Sequence, residues 1–199
     1  MNEIQENAQG NKRDASGPRV DVSHYYNVHS IQSRIARGIW VIVWTLLYRP
    51  SPKALHWWRK LLLRTFGAKI GRGAHIYPSV KVWAPWNLTM ADYSCLASDV
   101  DCYCVAPISI GAHTTVSQYS FLCAASHDFE QFDMPLVTKP IVVEDQVWIC
   151  ADVFVGPGVT IEQGAVVGAR STVVKNVARW TIVAGNPARF VKQRVLREQ

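Results

Sequence analysis

His127 is the side chain of this sequence best placed for proton chemistry. It stands at the base of the stretch DFEQFDMPLVTKPIV, residues 128–142, whose mixed polar and aromatic character differs from the sequence on either side. A positioned imidazole can take the proton of a hydroxyl near neutral pH as that hydroxyl attacks a carbonyl carbon. Asp128 could orient the ring, although adjacent side chains often diverge. Cys123 could carry an acyl group, but no activating partner lies near it in the sequence, and its position also suits packing. Cys102 and Cys104 form a C-x-C that could hold a metal, yet a second close Cys/His pair at zinc spacing is missing. Five cysteines are an odd number, and the start MNEIQENAQGNKRDASG has no apolar leader, so a reducing, cytoplasmic setting is expected.

Three segments must position these residues. Residues 1–28 are polar and aperiodic and read as a flexible tail. Residues 29–67 read as a basic, tryptophan-rich helical segment of two amphipathic helices. The first runs Ile31–Tyr48 and stops at Arg49-Pro50-Ser51-Pro52. Its apolar run Ile39–Tyr48 is ten residues, half of the roughly 20 that a bilayer crossing needs. The second is expected to start with Ser51 as N-cap and Pro52 at the first helical position, and to end near Gly67. Leu55, Trp58, Leu62 and Phe66 share its apolar face, with Lys53, Arg59, Lys60 and Arg64 beside them.

From Ile70 onward a period of six appears. Aliphatic residues recur at Val143, Ile149, Val155, Ile161, Val167 and Val173, and four positions after each comes a small or β-branched residue: Val147, Val153, Val159, Ala165, Ser171 and Val177. Ile70, Ile76, Val82 and Leu88 obey the same rule; Met90, Leu96 and Cys102 resume it after a slip of two, and Ile110, Val116 and Leu122 after another. Neither a helix nor a lone strand has this period. A triangular solenoid does: each side takes one hexapeptide, the aliphatic residue points to the axis, and successive coils pair their backbones. Residues 68–180 are read as this solenoid, of about five coils, with 128–142 as an excursion from it. Residues 181–199 are read as a partly helical C-terminal segment.

Composition and charge narrow the classes. Hydrophobic residues make up 49% of the 199 residues, charged residues 18%, and mean hydropathy is +0.02, which excludes disordered and collagen-like chains. The net charge of +6 is uneven. No acidic residue falls between Asp21 and Asp92, while ten basic ones do, and half of the eight tryptophans (Trp40, Trp44, Trp57 and Trp58) lie within residues 30–66 of that interval. Such a segment can meet an anionic membrane surface through residues 30–66, or pack on the main domain or on a neighbouring subunit. No nucleic-acid-binding motif accompanies the charge.

The stretches CAASHDFEQFDMPLVTKPI, WICADVFVGPGVTIEQGAVVGARSTVVK and WTIVAGNPARFVK resemble the hexapeptide-repeat acyltransferases, over residues 70–193. With RPSPKALHWWRKLLLRTFGAKIG upstream, the chain is similar to acetyltransferases of colanic-acid-type exopolysaccharide biosynthesis, and more broadly to galactoside and maltose O-acetyltransferases. The resemblance implies a mainly β protein, a left-handed parallel β-helix, a homotrimer with active sites between adjacent solenoids, and acetyl-CoA as co-substrate with no metal. By the same resemblance His127 matches the catalytic histidine and Asp92 a carboxylate that binds the acceptor sugar. It places the Ala151 amide near the thioester, Trp148 in the same channel and Ala169 along the pantetheine arm. Lys175, Arg189 and Lys192 match basic positions facing coenzyme A phosphates. Cys150, Arg170 and Val174 depart from the family's usual small residues, which touches the coenzyme contacts more than the fold.

The expected function is therefore transfer of acetyl from acetyl-CoA to a sugar hydroxyl of an exopolysaccharide or glycan precursor, lipid-linked or nucleotide-linked. His127 would act as general base, with direct transfer, in the cytoplasm or on the inner face of the cytoplasmic membrane. A non-catalytic solenoid scaffold is the alternative. A zinc hydratase on the same fold would need three converging histidines, and His75, His113 and His127 do not fit that pattern.

Overall fold

The computed structural model describes residues 20–23 and 30–197 of the chain. Residues 1–19 and 24–28 of the expected tail lie outside the described residues. Within 20–23, the Asp21 N–H donates to the Phe132 carbonyl at 2.9 Å.

The period of six builds a parallel β-solenoid. Three stacks of short strands form its faces. Face A holds Lys69–Ile70, Leu88–Met90, Ile108–Ile110, Ile141–Val143 and Thr160–Ile161. Face B holds His75–Ile76, Cys95–Leu96, Thr115–Val116, Trp148–Ile149, Val166–Val167 and Thr181–Ala184. Face C holds Lys81–Val82, Asp101–Tyr103, Phe121–Cys123, Phe154–Val155 and Thr172–Val173. Face A gains a sixth rung where Val177 bridges Ile161. Five complete coils and most of a sixth turn result. The aliphatic positions of the repeat fill the axis, buried from Ile76 through Leu122 to Val173.

Each corner has two parts. The residue three positions after an axis residue takes a left-handed backbone: Tyr93, His113 and Gln146 at one corner, Asp99, Tyr119, Asp152 and Arg170 at the next. The small or β-branched residue that follows, such as Ser94, Thr114, Ser120 or Val153, is buried inside the turn. A left-handed conformation costs a non-glycine residue roughly 1 kcal/mol. Carbonyls and amides of stacked corners offset it, as in His113 N–H to Asp92 C=O, 3.0 Å.

Every departure from the period falls at one corner, between faces C and A. Two extra residues enter between Val82 and Met90, and two more between Cys102 and Ile110. The 15-residue excursion enters between Leu122 and Val143 of the same column.

The helices cap the solenoid's first coil. Amides of each coil donate to carbonyls of the next, as in Tyr77 N–H to Leu96 C=O, 3.1 Å, so the first coil's carbonyls face outward with no coil above them. Helix α1 (Ile31–Val43), its π-helical continuation Trp44–Tyr48, and helix α2 (His56–Thr65) supply the missing donors. Trp40 Nε1 donates to Val82 C=O at 2.7 Å, Trp44 Nε1 to Val80 C=O at 2.9 Å, and Arg59 Nε to Ile76 C=O at 2.6 Å. Tyr48 Oη reaches Tyr77 C=O, and an Arg64 guanidinium nitrogen reaches Ile70 C=O. Indole and guanidinium groups carry donors and no acceptors, which is what a row of unpaired carbonyls requires.

Two expectations are corrected. Helix α2 starts at His56, not after Ser51. Arg59 draws the Ser51 hydroxyl and the Pro52 and Lys53 carbonyls onto its guanidinium, so that segment wraps a cation instead of entering a helix. The C-terminal segment contains no helix among the described residues. Thr181–Ala184, rich in β-branched residues, continues face B, and Arg189–Gln193 turns back antiparallel to it.

Candidate active site

His127 ends the short strand Ala125–His127, which leaves the C–A corner and pairs antiparallel with Leu136–Thr138. The excursion is thus a hairpin projecting from the solenoid, with His127 exposed on it. Its Nδ1 lies 2.6 Å from the Met134 carbonyl oxygen. A carbonyl only accepts, so Nδ1 carries the hydrogen and the neutral ring keeps its lone pair on Nε2. Met134 holds that carbonyl in place with a left-handed φ of 44°. Asp128 turns away: its carboxylate accepts from the Glu130 amide at 3.1 Å and from Gln131 Nε2 at 2.8 Å, closing the loop's own turn. The orienting partner of His127 is therefore a backbone group, invisible to a search for carboxylates.

Asp92 sits at another corner, between faces A and B. Its carboxylate accepts from the Arg72 amide at 2.8 Å and from the Arg72 guanidinium at 3.1 Å, and those bonds lower its pKa. Asp145 makes the matching bond to the Ala112 amide, 2.7 Å, at the same corner further along the stack. The repeated geometry marks both as staples between coils.

Trp148 and Ala151 flank the corner between faces B and C. The indole is half exposed, and its Nε1 donates to Ser117 Oγ at 3.0 Å. Ala169 stands one coil further on, where the Arg170 amide donates to the Ala151 carbonyl at 3.0 Å. These alanines form a ridge of small residues. Near the solenoid's last coil lies a cavity of about 430 Å³ with a floor of Val173, Val177 and Val183, and Lys175, Arg189 and Phe190 on its walls. The structure brings Lys175 and Arg189 together there. Lys192 is exposed on the terminal hairpin opposite Ile182, outside that lining.

His127 leaves the far end of the face C strands, whereas Ala151 and Ala169 precede their near end. At about 3.3 Å per residue the face is roughly 15 Å wide. Within one chain the histidine and the ridge do not meet.

The remaining reactive groups have packing roles. The hydrogen bond with Cys104, and then burial, push the Cys102 thiol up, and Cys104 Sγ bonds the Ala84 carbonyl at 3.2 Å. Cys123 Sγ donates to Ala125 C=O at 3.1 Å. His75 stacks on His56 and His113 on Tyr93, both far in the fold from His127. Among the described residues no cluster of three or more His, Cys, Asp or Glu could hold a metal ion.

The parallel solenoid is a fold shared with solved hexapeptide-repeat acetyltransferases. A colanic acid biosynthesis acetyltransferase by name, WcaF of Escherichia coli (strain K12), is 45% identical over 157 residues, 79% of this chain and 86% of that protein. A hexapeptide-repeat acetyltransferase of Vibrio cholerae O1 biovar eltor, solved with acetyl coenzyme A, superposes with a TM-score of 0.75 at 26% identity, over 85% of this chain and 92% of that one. A maltose O-acetyltransferase from Clostridium difficile 630 shares the fold, with a TM-score of 0.76 at 22% identity, over 84% of this chain and 90% of that one. No family model matches the chain. At this identity and coverage the chain belongs to the hexapeptide-repeat acetyltransferases, alongside WcaF.

Proposed function

We propose that the protein transfers acetyl from acetyl-CoA to a sugar hydroxyl of an exopolysaccharide or glycan precursor. The observation that carries this reading is the 2.6 Å contact of His127 Nδ1 with the Met134 carbonyl. It leaves Nε2 free to accept the proton of the attacking hydroxyl. The hydroxyl oxygen bonds to the thioester carbon, and the proton passes to Nε2. The tetrahedral intermediate then collapses, the C–S bond breaks, and the departing sulfur takes the proton back. No acyl-enzyme forms, in keeping with Cys123 bonded into its own loop.

The named relatives support acetyl-CoA as donor. In this chain the small ridge of Ala151 and Ala169 suits an extended pantetheine arm, with the Ala151 amide near the oxyanion and Trp148 beside the thioester. Lys175 and Arg189 suit the phosphates, and Lys192 adds charge nearby. Because ridge and histidine stand at opposite edges of face C, the reading requires side-by-side copies, a homotrimer in which one subunit's His127 meets another's ridge. Asp128, beside His127, is the candidate contact to the acceptor sugar, whereas the Asp92 carboxylate is engaged by Arg72. The donor places the reaction in the cytoplasm.

Free thiol release from acetyl-CoA, measured with sugars, nucleotide sugars and bacterial glycan fragments, tests this. Release that depends on an acceptor falls by about a hundredfold or more in His127→Ala. Acetyl-CoA binding, measured by calorimetry on the same preparations, is retained. Equal rates in the two proteins refute the general-base role. Absence of acetyl-CoA binding leaves the scaffold reading instead.

A further inference from the structure

We infer that the helical cap is a docking face for the surface of a bilayer containing anionic phospholipid, and that the solenoid stands on the membrane end-on. Helix α1 is amphipathic in an unusual sense. Its inner face carries Arg37, Trp40, Trp44 and Tyr48, three of which donate to the first coil's carbonyls. Its outer face carries Ile31, Ile35, Ile39, Ile42 and Leu46, at steps of three and four residues, which is one stripe of a helix. All five are 51–71% exposed. A helix packed only on its own solenoid would show water a polar face there. Trp57 and Leu61 on α2, 60% and 45% exposed, add further bare apolar surface to the same cap.

Charge complementarity selects the occupant. Arg34 on α1, Arg49 and Lys53 in the connection, and Arg64 on α2 are exposed, and no acidic residue occurs from Val22 through Ala91. An apolar stripe with cations around it and no anion matches headgroup phosphates above acyl chains. The length matches as well: Ile31–Tyr48 spans about 27 Å as a helix, and none of the described helices is long and apolar enough to cross a membrane. The helix therefore lies in the interface plane, with Trp57 at headgroup depth. A neighbouring copy packed beside the solenoid would leave its capped end open, so a trimer presents three such stripes in one direction.

Resting on the function proposed above, docking has a consequence for the acceptor. His127 leaves the third rung of face C, two rungs or roughly 10 Å along the axis from the capped first coil. Between them a cavity of about 420 Å³, lined by Arg37, Trp44, Lys81, Trp83, Asp101 and Tyr103, descends from α1 over face C. Two cations, Arg37 and Lys81, outnumber the one carboxylate, Asp101, among the aromatic faces of this groove, which suits a phosphate-bearing glycan held to the membrane by a lipid.

The test is flotation of the full chain with vesicles of phosphatidylcholine alone, or with phosphatidylglycerol added, for wild type and Ile35→Asp/Ile42→Asp. Both side chains are exposed, so the variant keeps its melting curve. Wild type floats with the anionic vesicles, and raised salt weakens this. The variant's bound fraction falls at least about tenfold, while its acetyl transfer to a soluble acceptor is retained. Docking is overturned if wild type stays at the bottom of the gradient with both vesicle types, or if the variant floats equally well. It is also overturned if gel filtration shows a larger assembly that the variant dissolves, which assigns the stripe to a second copy. Loss of transfer by wild type to every acceptor, with flotation intact, defeats the catalytic reading alone.

Discussion

Arg59 is fully buried and pairs with no carboxylate among the described residues, and its replacement by methionine tests whether a donor cap holds the solenoid's open end. Its guanidinium donates to Ile76 C=O at 2.6 Å, Ser51 Oγ at 2.8 Å, Pro52 C=O at 2.8 Å and Lys53 C=O at 2.6 Å. Burial lowers its pKa, yet a guanidinium stays charged at neutral pH. Hydrogen bonds to a charged group contribute about 1.5–3 kcal/mol each, but four such bonds do not sum, because burying the cation costs several kcal/mol. Pro52 and Lys53 lie in an exposed connection whose carbonyls can turn to water once released. The Ile76 carbonyl cannot; it keeps only His56 Nδ1, at 3.0 Å. One buried acceptor stripped of its charged donor, plus a loosened connection, gives a loss of about 2–4 kcal/mol for Arg59→Met. Urea unfolding at fixed protein concentration, followed by far-UV circular dichroism and tryptophan fluorescence, measures it. In a quasi-one-dimensional fold the cap melts before the coils, so the helical signal moves first. Arg59→Met within about 0.5 kcal/mol of wild type refutes the reasoning.

Three further outcomes follow from the geometry. Gly164 has a φ of +71°, and a Cβ there would lie 2.6 Å from the Trp180 ring, so Gly164→Ala lowers stability by about 1–3 kcal/mol in thermal or urea melts. Asp92→Asn loses the exposed Arg72 ion pair; the staple role predicts a small drop in melting temperature with KM for the acceptor unchanged, and a raised KM would move Asp92 into the sugar site. The pKa of His56 is lowered by burial and by its neighbours Arg59, His75 and Lys60, outweighing a hydrogen bond to Ile76 that raises it. The folded state therefore resists its protonation. Stability is full above the unfolded value of about 6.5 and falls as pH drops below it. Melting temperature followed downward from neutral pH shows that slope, and His56→Gln flattens it; an unchanged slope excludes His56.

The repeat was legible because the axis of a solenoid admits one kind of residue at one spacing, and every coil repeats the test. Val143 through Val173 could be read from the chain for that reason. The two slips of two residues carried a meaning that the sequence left open: both enlarge the corner from which the excursion later emerges. Ser51 and Pro52 have the chemistry of a helix start, but a contact eight positions away captures Ser51, so α2 begins only at His56. The Arg189–Gln193 strand is not legible in the sequence because an antiparallel return breaks the hexapeptide rule that precedes it. His127 is singled out in the sequence by its place at the excursion; its contact with Met134 is not legible there, because it comes through a carbonyl that every residue possesses.

The departures from regularity have a common logic. A solenoid's rungs are locked in register by their neighbours, so extra residues fit only where the chain turns. Two residues at the C–A corner after the first coil, two after the second and fifteen after the third change that ridge while faces A, B and C keep their pairing. The hairpin bearing His127 is therefore carried by a scaffold that does not deform to meet it. The same rigidity holds the Ala151–Ala169 ridge a face's width away. A hinged protein could bring such halves together by closing; a prism held by stacked backbone bonds cannot. If both halves serve one reaction, a second chain must supply one of them, and the flat capped end then sets how that assembly meets a surface. On that reading, catalysis, assembly and orientation are coupled through one choice: the corner that was allowed to grow.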